Sequence, residues 1–232
     1  MKIAMWSGPR NLSTAMMYAF GNRADFAAWD EPFYAAYLRT TGIEHPMGDE
    51  IIETHDADAQ SVGARCAGPV PDGKAHWYMK HMALHMIDGF PLDWAEDCVN
   101  VHLIRHPARV IASYAAKREN PTLDDIGYRQ HAALFQRFPG PVVDSADVRR
   151  DPETMLQKLC AEIGLPFDPA MLRWEQGPRP FDGIWARHWY GAVHGSTGFA
   201  GAEGALPELE GRMAALCEAA MPGYQEMARL KI

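Results

Sequence analysis

Five short apolar runs, Ile3–Trp6, Ala27–Asp30, Trp77–Lys80, Val99–Ile104 and Pro141–Asp144, are separated by stretches with helical spacing. A run that is apolar rather than alternating suits a strand covered on both faces. Strands that alternate with helices favour parallel pairing with helices packed over the sheet. The expected helices are Ser13–Gly21, Phe33–Arg39, a weak one at Asp49–Thr54, Leu84–Gly89, Ala108–Lys117, Leu123–Phe138 and Pro152–Ile163. The last has defined ends: Asp151 as N-cap, Pro152 at the first helical position and Gly164 just past the end. The expectation is an α/β fold, a three-layer α/β/α arrangement around a central parallel sheet of about five strands.

With 232 residues, 47% of them apolar, one domain over 1–232 is favoured over two. No run approaches the roughly 20 apolar residues of a membrane span, so no membrane partner is expected. A net charge of −8 argues against nucleic acid as a partner. Ser7-Gly-Pro-Arg10 interrupts any leader-like apolar start, and a cytoplasmic location is the default expectation. Cys66, Cys98, Cys160 and Cys217 lack C-x-x-C spacing and read as free thiols, with no metal site among them. A homo-oligomer is compatible with the sequence, which does not fix the oligomeric state. Residues 177–204 are irregular and rich in Gly, His and aromatics; Trp185, Trp189 and Tyr190 favour an ordered loop. The tail over 206–232 carries helical spacing from Leu206 to Ala220.

Chemistry concentrates where the first strand ends. Ile3–Trp6 runs into Ser7, Gly8, Pro9, Arg10, Asn11, Leu12, Ser13 and Thr14, which open the first helix. A strand, a Gly-containing loop and a helix N-terminus together cradle an anion, because free backbone N–H groups and the helix dipole face it. Ser13 and Thr14 add hydroxyls and Arg10 a guanidinium fork. The nucleoside-triphosphatase loop is excluded: counted from Gly8, its Gly-Lys positions fall on Ser13 and Thr14, and the loop has no lysine. No G-x-G-x-x-G is present either. A tight turn capped by Ser13 or Thr14 remains the plain structural alternative.

A second anion point follows the fourth strand, where Arg105-His-Pro107 opens a helix carrying Ser113 two turns along. Ligands of open α/β sheets bind at the carboxyl ends of the strands, which puts Arg105 on the same edge as the first loop. The plain alternative pairs Arg105 with a surface carboxylate and leaves Ser113 to packing.

These two motifs resemble the signature of the sulfotransferases that use 3′-phosphoadenosine 5′-phosphosulfate. Pro9, Arg10, Ser13 and Thr14 match the family's first loop, while Asn11 and Leu12 stand where Ser-Gly is usual. Arg105, Pro107, Ser113 and Tyr114 match the second motif. Val142 to Glu153 and Leu159 to Phe167 resemble the family's later strand and helix, so the likeness covers roughly residues 1 to 170. The variant loop is similar to that of a bacterial sulfotransferase-like subgroup. The resemblance implies a P-loop nucleotide hydrolase-like fold, in which residues 177–204 close over the nucleotide. It implies that Gly8 to Thr14 grip the 5′ end of the donor and that Arg105 and Ser113 grip its 3′-phosphate.

Sulfuryl transfer is an in-line displacement governed by positioning and charge, and no metal is expected. Arg10 is placed on the bridging oxygen by the resemblance, and a base must take the acceptor's proton. Glu31, directly after the second strand, is favoured; Lys80 is its cationic helper, and His81 or His85 the second choice. An acid serving only the dipole of the next helix is the alternative for Glu31. His81 and His85 are four apart, but without the glutamate of H-E-x-x-H, packing is preferred over zinc. In the closing segment, His194, Gly195, Ser196 and Thr197 are placed at the nucleotide by position in the family pattern, with Trp189 or Phe199 on adenine. The implied activity is sulfuryl transfer to a hydroxyl or amine of a small-molecule acceptor. A non-catalytic nucleotide-binding relative and a P-loop phosphotransferase are the alternatives.

Overall fold

A computed structural model describes residues 1–115 and 121–232. Five strands form one all-parallel sheet: β1 (Lys2–Ser7), β2 (Phe26–Asp30), β3 (His76–Met82), β4 (Val99–Ile104) and β5 (Val142–Asp144), in the order β2-β3-β1-β4-β5. All five runs expected as strands are strands, and the three-layer parallel α/β expectation holds. The helices in chain order are α1 (Ser13–Gly21), α2 (Tyr34–Thr41), α3 (Gly48–Thr54), α4 (Ala59–Ala67), α5 (Pro107–Ala115), α6 (Leu123–Ile126), α7 (Tyr128–Arg137), α8 (Ser145–Arg150), α9 (Pro152–Glu162), α10 (Ala186–Trp189), α11 (Gly191–His194) and α12 (Gly211–Ala228).

Strand alternation sorts the core into two layers. Ile3 and Met5 of β1 and Tyr78 of β3 face one way and pack with α1, α2 and α9. Ala4 and Trp6 of β1 and Trp77 and Met79 of β3 face the other way and pack with Val62 and Cys66 of α4 and with Leu134 and Phe138 of α7. Helix α1 is buried from Ala15 to Phe20, and Phe20 stacks on Tyr78 with ring centroids 4.8 Å apart. Such a helix has little polar surface and is held by packing rather than by amphipathic patterning.

Three helix expectations are corrected. The single helix at Leu123–Phe138 is two, broken at Gly127, whose φ of +68° ends α6 and starts α7. The stretch Leu84–Gly89 yields one 3₁₀ turn, Ala83–His85. The tail helix starts later and ends later than its apolar spacing suggested, at Gly211–Ala228. Helix α4 was not expected at all, although Asp58 caps it through the N–H groups of Gln60 and Ser61. The expected end of α5 at Lys117 lies outside the described residues.

Residues 177–204 fold back over the sheet edge. Trp185 and Tyr190 are buried in the same core layer as α1 and α2. The chain end runs along β5, where Ile232 donates its N–H to the Val142 carbonyl at 3.0 Å. No helix among the described residues is long and apolar enough to cross a membrane.

Candidate functional site

The carboxyl ends of the strands surround a cavity of about 1320 Å³. The first loop lines it from Pro9 to Thr14. Arg10 and Leu12 both hold left-handed backbones, with φ of 63° and 69°. A non-glycine residue there costs about 1 kcal/mol, so Leu12 occupies in strained form the place where the family uses glycine. Asn11 explains how the variant loop is held: its side chain, 2% exposed, donates to the Leu103 carbonyl at 3.1 Å, and its own carbonyl accepts from Ser145 Oγ at 2.8 Å. Gly8 is pressed against the chain, where a Cβ would sit 3.0 Å from the Ile126 carbonyl oxygen. Asn11 and Gly8 therefore shape the loop.

Helix α1 begins at Ser13 without a side-chain cap and without an acid in its first turn. Its first N–H groups have no carbonyl a turn earlier to bond. They open beside Ser13 and Thr14 on the cavity wall, so the capping alternative for these residues does not apply. Arg10 donates from Nε to Ser113 Oγ at 2.9 Å, and Arg105 donates from Nη1 to the Arg10 carbonyl at 2.6 Å. The two motifs, ninety residues apart in sequence, thus meet at one wall. Burial and the neighbouring Arg105 charge lower the Arg10 pKa.

On the opposite side lies a buried ionic cluster. Strand register puts Asp30 beside Lys80, and the Lys80 ammonium donates to Asp30 Oδ1 at 2.9 Å and to Glu31 Oε1 at 2.6 Å. Lys80 also reaches the Tyr190 hydroxyl, which donates in turn to Asp30, and the Gly183 N–H donates to Asp30 at 3.1 Å. Glu31 fronts the cavity from a backbone of φ 39°, pinned by its N–H to the Lys80 carbonyl at 3.0 Å. Burial raises the Glu31 carboxyl above its usual range, against the pull of Lys80. Burial disfavours the Lys80 charge, but the Asp30 and Glu31 carboxylates outweigh it and the ammonium is retained.

The two histidine candidates separate. His85 lines the cavity between Tyr34 and Tyr37, with ring centroids at 4.6 and 4.8 Å, and burial keeps it neutral. His81 follows Lys80 by one residue on β3 and so points to the opposite face. There it packs 4.7 Å from both Trp6 and Trp94, away from the cavity. Burial lowers its pKa to about 3. Of the aromatics near the second strand, Tyr34 and Tyr37 reach the cavity, while Phe33 and Trp77 lie in the other core layer.

Within residues 177–204, Gly195, Ser196 and Thr197 line the cavity, as do Trp189 and Phe199. Ser196 Oγ is occupied by the Val193 carbonyl and the Trp174 indole. His194 turns away to Asp182, 3.1 Å distant, which also accepts from Tyr18. Asp30, Tyr190, Glu203 and two of its arginine partners, Arg109 and Arg149, were not among the expected site residues; its third partner, Arg105, was. Strand register carries a signal for Asp30, one residue before Glu31. Tyr190 and Glu203 come from irregular chain, and nothing local marks where they land. Among the described residues no group of three or more His, Cys, Asp or Glu is arranged to hold a metal ion.

Comparison with known proteins shows the family and the fold. The family model of the sulfotransferase domain matches residues 1–230. Two Arabidopsis thaliana proteins, branched-chain-amino-acid aminotransferase-like protein 2 and protein 1, are 34% and 35% identical over 202 residues, 85% of this chain and 36% of each. The chain therefore spans about a third of the length of those relatives. The solved sulfotransferase domain from the curacin biosynthetic pathway covers 95% of both chains at a TM-score of 0.54 and 14% identity, a likeness of fold. With a family match over nearly its whole length and both motifs converging on one cavity, the chain belongs to the sulfotransferase domain family.

Proposed function

We propose that the cavity binds 3′-phosphoadenosine 5′-phosphosulfate and that the chain transfers its sulfuryl group to a hydroxyl or amine of a small-molecule acceptor. The observation that carries this reading is the uncapped α1 N-terminus facing the same cavity as the Arg10–Ser113–Arg105 wall. Those two points suit a ligand with anionic groups at both ends of a ribose. Trp189 and Phe199 offer faces for a base, and the cavity has room for a nucleotide with an acceptor.

The donor supplies a sulfuryl group already joined to a phosphate leaving group. The α1 N–H groups, Ser13 and Thr14 hold that phosphate, and Arg10 stabilises the charge it gains. The acceptor enters along Tyr34, Tyr37 and His85. Glu31 takes the proton of its attacking hydroxyl or amine; the raised affinity of this carboxyl for protons suits a base. Lys80 fixes the Glu31 carboxylate in place and adds positive charge near the transferring group. His85 lines the same cavity and is the second candidate for the base, but burial lowers its affinity for a proton, which favours Glu31. The positive charge this chemistry needs comes from Arg10, Lys80 and α1 itself, with no metal in any role.

Radiolabelled sulfuryl transfer to a metabolite pool tests the reading. Glu31→Gln is expected to lower transfer about 10²- to 10³-fold, with affinity for adenosine 3′,5′-bisphosphate nearly unchanged. Normal transfer by that variant would remove Glu31 as the base.

A further inference from the structure

Glu203 lies three residues beyond the cavity-lining Ala200, and its side chain is 3% exposed. Three guanidiniums from three elements converge on it. Arg105 comes from the end of β4, Arg109 from α5 at 2.9 Å, and Arg149 from α8 at 2.8 Å. Arg109 also donates to the Gly204 carbonyl, and Arg149 to the Gly201 carbonyl at 2.9 Å. Among the described residues none of the three arginines has another acidic partner at ion-pair distance, so three positive charges share one carboxylate.

Arg105 links this cluster to the cavity. Its Nη1 is tied to the Arg10 carbonyl, its Nη2 is held by Glu203, and its Nε is buried without a hydrogen-bond partner. The one arginine of the second motif is therefore already committed to an internal anion. A carboxylate offers one negative charge; a phosphate offers close to two and three acceptor oxygens. For a cluster of three guanidiniums the phosphate is the better match.

We propose that Arg109 and Arg149 join Arg105 in a socket for a phosphate dianion, and that Glu203 holds this socket until such a ligand displaces it. The inference rests on the nucleotide reading above, and the phosphate is the 3′-phosphate of the donor. Displacement breaks the contacts by which Glu203 fixes the 201–204 backbone to Arg109 and Arg149. Nucleotide binding is thereby coupled to release of that segment.

Titration calorimetry without magnesium, with adenosine 3′,5′-bisphosphate and adenosine 5′-monophosphate as paired probes, tests this. Glu203→Gln is expected to tighten the bisphosphate about tenfold and Arg149→Gln to weaken it about tenfold, each leaving the monophosphate within about twofold. Because Glu203→Gln leaves a cationic cluster without its anion and can impair folding, hydrogen exchange on the unaltered protein supplies a second readout. The bisphosphate, and not the monophosphate, should speed amide exchange at residues 201–204. The socket is overturned if Glu203→Gln weakens the bisphosphate, if Arg149→Gln changes both probes equally or neither, or if exchange at 201–204 slows or stays constant. Failure of the unaltered protein to bind the bisphosphate at all would overturn the nucleotide reading itself, together with the socket.

Discussion

Lys80 and His81 are adjacent in sequence and chemically unrelated in the structure. A strand sends successive side chains to opposite faces, so Lys80 joins Asp30 and Glu31 at the cavity while His81 is enclosed by Trp6, Phe33 and Trp94. Its Nε2 is buried without a hydrogen-bond partner. The pH dependence follows from its pKa, lowered by burial to about 3 from 6.5. Below pH 6.5 the unfolded chain takes up a proton that the folded chain refuses, so stability present above that pH is lost as pH falls toward 3. The slope from this one residue is about 1.4 kcal/mol per pH unit between those limits. His81→Phe should flatten the acid limb of stability measured by urea unfolding between pH 6 and 4, and leave sulfuryl transfer unchanged. A native-like His81→Phe protein that had lost transfer would contradict this placement. The sequence could mark Glu31 and Lys80 because Glu31 directly follows one apolar run and Lys80 ends another. Choosing between His81 and His85 needed the parity of β3, which a one-residue shift inverts.

At the scale of elements, glycine and left-handed residues decide where helices begin. The stretch Leu123–Phe138 is periodic enough to read as one helix, yet Gly127 splits it and brings its backbone against Leu84. An alanine there would hold φ at +68° with a Cβ 3.3 Å from the Leu84 Cβ. Gly127→Ala should therefore cost about 1–2 kcal/mol, seen as a fall of several degrees in the thermal midpoint. An unchanged midpoint would mean that α6 and α7 can merge. The first loop follows the same logic. Arg10 and Leu12 accept left-handed backbones so that α1 can start with its N–H groups bare. Its residue types were legible in the sequence, and its strain was not. The five strands were legible because each is a short apolar run between helices. Helix α4 was missed because its burial is confined to Val62, Gly63 and Cys66, too narrow a stripe to stand out.

Across the whole molecule, the site is assembled by chain segments far apart in sequence. The loop after β1, the residues after β2, the end of β3 and the start of α5 all reach one sheet edge, as parallel α/β topology requires. That much follows from strand order. The contributions of Tyr190 and Glu203 do not, because residues 177–204 are positioned by tertiary packing of Trp185 and Tyr190 and by ion pairs. Their convergence makes residues 177–204 part of both the carboxylate cluster and the cluster of three arginines. The most direct test of the account is a crystal structure of the protein with adenosine 3′,5′-bisphosphate. The 5′-phosphate should lie on the N–H groups of Ser13, Thr14 and Ala15, and the 3′-phosphate on Arg105. A nucleotide bound outside this cavity, or with its 5′-phosphate away from α1, would contradict it.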